Sequence, residues 1–284
     1  MDNTDILNTQ KLSDIASQVR RDIVRMVSAA GSGHPGGSLS STDILTALYF
    51  QVMKHDPASW TRSAEGQDAF FLSAGHLAPV YYAVLSRAGY FPASELATLR
   101  RFGSRLQGHP STVDGLPGVL RPSGSLGQGL AAAAGMALGK KMSGDVHTVY
   151  ALCGDGESEE GEIWETAMFA AHHGLDNLVA MTDCNHQQID GSVEDVAGLD
   201  ALSDKWLAFG WDVICADGHD FSSILDAFQL AQRRDGKPKM ILFETVMGKG
   251  VDFMEGTHEW HGKAPNAELA ERALAQLKES LGDY

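Results

Sequence analysis

The chain has 284 residues, 43% apolar and 21% charged, with 31 Gly, 9 Pro and 3 Cys, which excludes a disordered chain, a collagen-like repeat and a disulfide scaffold. With 22 Lys and Arg against 37 Asp and Glu, the formal charge of −15 argues against nonspecific binding to nucleic acid or to an anionic membrane. Any anionic ligand must then be held locally, by a metal or by backbone amides.

Residues 1–12 are polar and lack the basic segment and apolar run of a secretory signal. The longest apolar stretches, such as 130–138, are Ala-rich, interrupted by Gly135 and far short of the roughly 20 residues of a spanning helix. These features lead us to expect a soluble, cytoplasmic protein. Periodicity then predicts, in chain order, helices over 12–30 and 41–50, a strand over 69–73, helices over 78–87 and 128–141, a strand over 148–152, a helix over 161–173, strands over 178–182 and 212–215, a helix over 221–233, a strand over 240–246 and a helix over 266–281. Near-continuously apolar strands separated by helices predict a doubly wound α/β fold, a mostly parallel sheet with helices on both faces. We expect one domain over 1–284 with a C-terminal extension from about Val251. In such folds ligands bind beyond the carboxyl ends of the strands.

Cys153, Cys184 and Cys215 are 31 residues apart, an interval that matches one strand–helix–strand crossover of about 30 residues. Each ends a short apolar run, and CxxC spacing is absent, so strand periodicity explains them better than a zinc site.

After the strand ending at Cys153 comes Gly154-Asp155-Gly156-Glu157-Ser158-Glu159-Glu160-Gly161, leading into a helix. Glycines at such a turn let a phosphate approach backbone amides at the positive helix end. Asp155 and the four acids that follow by Glu162 would repel a bare phosphate. A hard divalent cation resolves this, because Mg²⁺ takes oxygen ligands octahedrally at roughly 2.0–2.1 Å and bridges carboxylate to phosphate. The next strand runs out through Thr182-Asp183-Cys184-Asn185-His186-Gln187, so Asn185 follows Asp155 by 30 residues, one crossover later. If the two strands are neighbours, Asp155, Asn185 and a nearby backbone carbonyl offer three oxygens to a metal–diphosphate. Asp155 as a plain helix cap and Asn185 as a turn residue is the alternative for either taken alone; the pair together favours the metal.

Six motifs, in order Ser32-Gly33-His34-Pro35-Gly36-Gly37, Ser73-Ala74-Gly75-His76, Gly108-His109-Pro110, Gly124-Ser125-Leu126-Gly127-Gln128-Gly129, the Gly154 turn and His261-Gly262-Lys263-Ala264-Pro265-Asn266, resemble the thiamine-diphosphate-dependent transketolases. The resemblance runs over nearly the whole chain and is to their N-terminal, cofactor-binding portion, as in the first subunit of a split transketolase. Two positions depart from it: Ser125, where the family often has Pro, and Cys184, where it often has Asn or Asp. Both bear on turn geometry, and neither removes a ligand side chain.

The resemblance implies a thiamine-diphosphate-binding fold in which Asp155, Asn185 and the Gln187 carbonyl hold Mg²⁺ or another divalent cation such as Ca²⁺ or Mn²⁺. It implies that Gly156, Gly124, Ser125 and Leu126 contact the cofactor, that His34 and His261 face the reacting carbonyl and hydroxyls, and that His109 faces the donor's terminal hydroxyl. His76 would sit between the cofactor diphosphate and the substrate. Glu160 would be the family's interface glutamate, relaying protons between two cofactor sites; on position alone it is equally an ordinary acid in the first turn of a helix.

The residues suit that chemistry independently. Four of the 11 histidines, His34, His76, His109 and His261, lie in Gly- or Pro-flanked segments outside the strong helical stretches. Imidazole, with an ordinary pKa of about 6.5, moves protons to and from hydroxyls near neutral pH. For a lone Gly-His pair, bracing a loop is the stronger reading. His172 and His173 fall at a helix end and take no catalytic role, and the His258-Glu259-Trp260-His261 spacing is not the i,i+4 pair of a metalloprotease.

Transketolases complete the site with a pyrimidine-binding domain that supplies the acid for the cofactor ring and the phosphate-binding arginines. A chain ending at Tyr284 has no room for it. We therefore expect a heteromer, two copies each of this chain and a separately encoded C-terminal subunit, transferring a two-carbon ketol unit between sugars or sugar phosphates. Other readings are a 2-oxoacid dehydrogenase subunit, a deoxyxylulose-phosphate synthase, or a noncatalytic nucleotide-binding subunit. A nicotinamide-dependent oxidoreductase is weaker, since no clear GxGxxG follows the first strand. The particular sugars, their phosphorylation and the partner's identity stay open.

Overall fold

The computed structural model describes residues 8–284. Five apolar strands form one parallel sheet: β1 (Ala69–Leu72), β2 (Val149–Gly154), β3 (Leu178–Cys184), β6 (Asp212–Asp217) and β7 (Lys239–Glu244), in spatial order β1-β2-β3-β7-β6. The two-residue strands β4 (Gln187–Gln188) and β5 (Gly191–Ser192) form a separate antiparallel hairpin. Side chains alternate across the sheet, so each strand serves two cores. Phe70, Leu72, Tyr150, Leu152, Val179, Met181, Ile241 and Phe243 face one core, while Phe71, Val149, Ala151, Cys153, Ala180, Met240 and Leu242 face the other. Burial on both faces is why these strands read as continuous apolar runs, each large side chain contributing about 1.5–3 kcal/mol.

The first core is roofed by α1 (Thr9–Ala30), α2 (Pro35–Ser40), α3 (Thr42–Ala47), α4 (Ala78–Arg87) and, later in the chain, the helices over Phe221–Ala231 and Ala267–Gln276. The second lies under α5 (Gln128–Ser143), α6 (Gly161–His172) and the helix over Leu202–Ala208, whose Trp206 packs beside Trp211. A short helix also spans Val193–Ala197. Helix α1 is capped at its start by Asn8, which accepts from the Lys11 N–H, and is ended by Gly31 in the left-handed conformation at φ 61°.

The predicted strands and helices are all present, with three differences that have physical causes. The helix expected over 41–50 is α3 followed by a π-helical turn over Leu48–Val52, and a further helix, α2, precedes it. Pro35 starts α2 where its missing N–H costs nothing, and the break at Ser40 and Ser41 turns both hydroxyls onto the buried Asp183. The helix expected over 266–281 stops at Gln276, because the tail pairs with α1: Ser17 donates to the Lys278 carbonyl at 2.7 Å, and the Ser280 and Leu281 N–H groups both donate to Gln18 Oε1 at 3.1 Å. Strand β3 runs two residues past the expected 182, which delivers Asn185 to the edge of the sheet.

A buried network fixes the loops around that edge. Asp43 accepts both terminal nitrogens of Arg20, at 2.8 and 2.6 Å, and His219 Nδ1 at 2.9 Å. The Val246 N–H donates to His219 Nε2 at 2.9 Å, so the ring proton sits on Nδ1, and α1, α3 and the segment after β7 are tied together. Among the described residues no helix is long and apolar enough to cross a membrane.

Candidate active site

Strands β2 and β3 are hydrogen-bonded neighbours with Gly154 beside Asp183, so the turns that follow them leave the sheet side by side. Asp155 is buried in the first turn, its Oδ1 accepting from the Gly156 N–H at 2.8 Å and its Oδ2 from the His186 N–H at 2.5 Å. Asn185 heads the second turn. Its Oδ1 accepts from the Gln187 N–H at 3.0 Å and its Nδ2 donates to Asp183 Oδ2 at 3.0 Å. Asp183 lies beneath both, accepting from Ser40 Oγ at 2.5 Å, Ser41 Oγ at 2.9 Å and Thr245 Oγ1.

Burial, and then the neighbouring Asp183 charge, push the Asp155 carboxyl up to about 7. A buried carboxylate next to a second one, with only backbone donors facing it, is an incomplete arrangement that a divalent cation completes. The donor set of carboxylate and amide oxygens suits a hard ion. Above it, Gly156 leaves space that a side chain would fill, since a Cβ there would stand 3.0 Å from Gln188 Cβ. Asp155, Gly156, Asn185 and Gln187 line a cavity of about 260 Å³ whose other walls include Leu77, Leu126, Ile189, Met247, His76 and His261. Polar oxygens at one end and apolar walls at the other match a diphosphate joined to an aromatic ring.

Four segments bring the imidazoles together here, with His76 and His261 in the cavity wall. The His34 ring centroid is 5.5 Å from that of His76, 5.9 Å from His109 and 5.7 Å from His261, and His76 and His261 are 4.8 Å apart. Burial, followed by the electrostatic influence of His261, Arg100 and His109, brings His34 down to about 4. Burial also holds His76 far below the usual imidazole range and lowers His109 and His261. All four are therefore neutral near pH 7. The Nδ1 atoms of His34 and His261 are buried with no hydrogen-bond partner among the described residues, a cost that a bound ligand would relieve. Close backbone approach makes the cluster possible: a Cβ on Gly75 would lie 2.5 Å from the Gly124 nitrogen.

The structure separates the other candidates. Leu126 lines the cavity, whereas Gly124 and Ser125 are exposed and outside its wall, Gly124 lying instead against the His109 ring. Glu160 reaches the cavity rim but is exposed in this chain, at the start of α6 and with no side-chain capping bond. His172 and His173 are exposed at the far end of α6. Cys153 and Cys184 are buried in strands and Cys215 is exposed on β6, all as free thiols.

Two residues were missed by the sequence reading. Glu157 is buried in the turn beside Asp155: its Oε1 accepts from Ser73 Oγ at 2.5 Å and the Gly127 N–H at 2.7 Å, and its Oε2 from the Gly154 N–H at 3.1 Å. It thereby joins three of the glycine loops. Asp183 was the other, and its place at the end of an apolar strand was the available signal. A second cavity of about 750 Å³ shares Asp155 and Gln187 but has neither Asn185 nor His76 and His261 in its wall, all of which line the smaller one. The smaller cavity is the one with the fitting chemistry.

Fold and site together define a thiamine diphosphate binding domain. Residues 12–283 match the family described as "Transketolase, thiamine diphosphate binding domain", and the chain belongs to that family. It is 44% identical to the 6-deoxy-6-sulfo-D-fructose transketolase subunit of Clostridium sp. (strain MSTE9), over 93% of this chain and 94% of that one. It is 39% identical to an apulose-4-phosphate transketolase subunit of Phocaeicola vulgatus, over 92% of each. Among solved structures, the transketolase of Campylobacter jejuni superposes with a TM-score of 0.88 at 32% identity, covering 95% of this chain and 43% of the other. The chain thus spans under half of that transketolase and nearly all of the two subunits; it is of the N-terminal transketolase subunit type.

Proposed function

We propose that this chain is the cofactor-binding half of a heteromeric transketolase that moves a two-carbon ketol unit from a ketose donor to an aldose acceptor. The observation that carries the reading is the convergence of four neutral imidazoles over a cavity floored by Asp155 and Asn185. The Asp155 carboxylate, the Asn185 side-chain oxygen and the Gln187 carbonyl would hold Mg²⁺ or a similar cation against the diphosphate, with Gly156 and Leu126 bordering the cofactor. Gly124 and Ser125 would reach it only through movement of their exposed turn. Thiamine diphosphate, when bound, supplies the nucleophilic carbon that receives the two-carbon unit.

His34 and His261 offer unpartnered Nδ1 atoms to the sugar's oxygens and can take or return a proton there. His109, exposed beside His34, is placed for the donor's terminal hydroxyl, and His76 lies on the cofactor side against His261. Glu160, open to solvent at the rim, would be covered by a partner and serve the proton relay between paired sites. The partner is a separately encoded pyrimidine-binding subunit, two copies of each forming a cytoplasmic heterotetramer. The relatives' names, one a sulfonated and one a phosphorylated sugar transketolase, support a substrate of the sugar or sugar-phosphate class.

The test is to assay the purified chain with thiamine diphosphate, Mg²⁺, a ketose donor and an aldose acceptor, with and without the partner. Ketol transfer without CO₂ release is expected only in the mixture. Full turnover by the isolated chain would refute the heteromer, and CO₂ release would point to a 2-oxoacid enzyme.

A further inference from the structure

Arg100 lies at the edge of the histidine cluster, and both hydrogen bonds of its guanidinium go to neutral oxygens. Nη1 donates to Ser32 Oγ at 3.1 Å, two residues before His34, and Nη2 donates to the Gly108 carbonyl at 3.4 Å, one residue before His109. The backbone is committed to this placement. Arg100 has φ 58°, in the left-handed region that side chains other than glycine rarely adopt, and its N–H donates to the Leu106 carbonyl at 2.8 Å. Gly108 is shaped around it, since a Cβ there would stand 2.5 Å from the guanidinium carbon.

We propose that Arg100 is a positioning residue for the histidine cluster, fastening the loop that carries His34 to the loop that carries His109 and setting a fixed positive charge beside both rings. The assignment rests on the reading of the imidazoles as the substrate side of the site. A guanidinium keeps its proton at every working pH, so the charge is permanent while the rings beside it can titrate. His76, His109, His261 and Arg100 face His34; His34 and Arg100 face His109; Asp190 faces His261. Burial acts on His34 and His109 in the same direction as Arg100 and is the larger influence on both rings.

The test is an NMR titration of the histidine rings in the isolated full chain, which requires neither partner nor cofactor. Arg100→Gln should raise the midpoints of His34 and His109 by about half a pH unit, roughly three-fold in protonation constant, with His172 as an unmoved control. Arg100→Lys keeps the charge and should leave the midpoints near those of the parent. Unchanged midpoints in the Gln variant, or equal shifts with Lys and Gln, would overturn the assignment. If the Gln variant does not fold, Gly108→Ala displaces the guanidinium with the arginine still present; His109 should again titrate higher, and an unmoved midpoint overturns the proposal. Shifted midpoints in a chain whose reconstituted enzyme transfers no ketol unit would leave Arg100 in place and sink the transketolase reading instead.

Discussion

The His186 N–H donates to Asp155 Oδ2 at 2.5 Å, joining the turn after β2 to the residue that follows Asn185. His186 takes a left-handed φ of 61° to make this bond, a conformation that costs a non-glycine roughly 1–2 kcal/mol. The two proposed metal ligands are thus held in mutual register before any ion arrives.

Asp155→Ala should fold, because it removes a carboxyl whose burial beside Asp183 is only partly offset by the Gly156 and His186 N–H groups. What it should lose is the gain from ligand. A cofactor present at 100 times its Kd stabilises by about 2.7 kcal/mol, and thermal unfolding with and without thiamine diphosphate and Mg²⁺ reads that difference. A cofactor titration identical to the parent's would count against the assigned ion site.

The histidine cluster should make the free chain acid-sensitive above the carboxylate range. His34 titrates at about 4 when folded and at 6.5 in an open chain, so unfolding takes up a proton between these pH values. Its contribution is fully present above pH 6.5 and is lost as pH falls toward 4, roughly 2 kcal/mol after discounting for its partial exposure. His76, His109 and His261, all lowered, add in the same direction. Denaturant unfolding at a series of pH values checks this, and His34→Gln should flatten the profile; a stability independent of pH across that window would contradict it.

His261→Ala should separate chemistry from binding. Its Nδ1 has no partner among the described residues, and its ring lines the cavity. In the reconstituted enzyme we expect kcat to fall about 10²–10³-fold, in the range of a lost acid–base group, while the cofactor Kd changes little. Equal losses in both would identify a bracing role.

Asp183→Ala should cost about 3 kcal/mol, because it strands the hydroxyls of Ser40, Ser41 and Thr245 and the Asn185 amide in a buried place. Loss of the bond that orients Asn185 should also weaken Mg²⁺ binding by about 10–100-fold. Urea denaturation reads the first effect and calorimetric Mg²⁺ titration in the presence of cofactor the second; a stable variant with parental affinity would show that the network is dispensable.

The strand runs, their alternation with helices and the Asp155 to Asn185 interval were legible because a parallel sheet buried on both faces writes itself as apolar segments one crossover apart. Family motifs likewise placed His34, His76, His109 and His261 in loops that the fold brings together. The separate helix α2, the early end of the last helix and the burial of Glu157 within the chain were not legible. Each depends on a partner far away in sequence: Asp183 for Ser40 and Ser41, Gln18 for the tail, Ser73 and Gly127 for Glu157.

By itself, then, the amino-acid order determined which segments are strands, which turns carry acids and glycines, and which histidines are free of helices, since periodicity and turn chemistry act over a few neighbouring residues. Only the tertiary structure decided which acid is buried, which glycine turn reaches the cavity, and that Arg100 stands between two histidine loops. Those outcomes depend on desolvation and on contacts between residues distant in sequence, 84 positions for Ser73 and Glu157 and 68 for Ser32 and Arg100, and no local pattern encodes them.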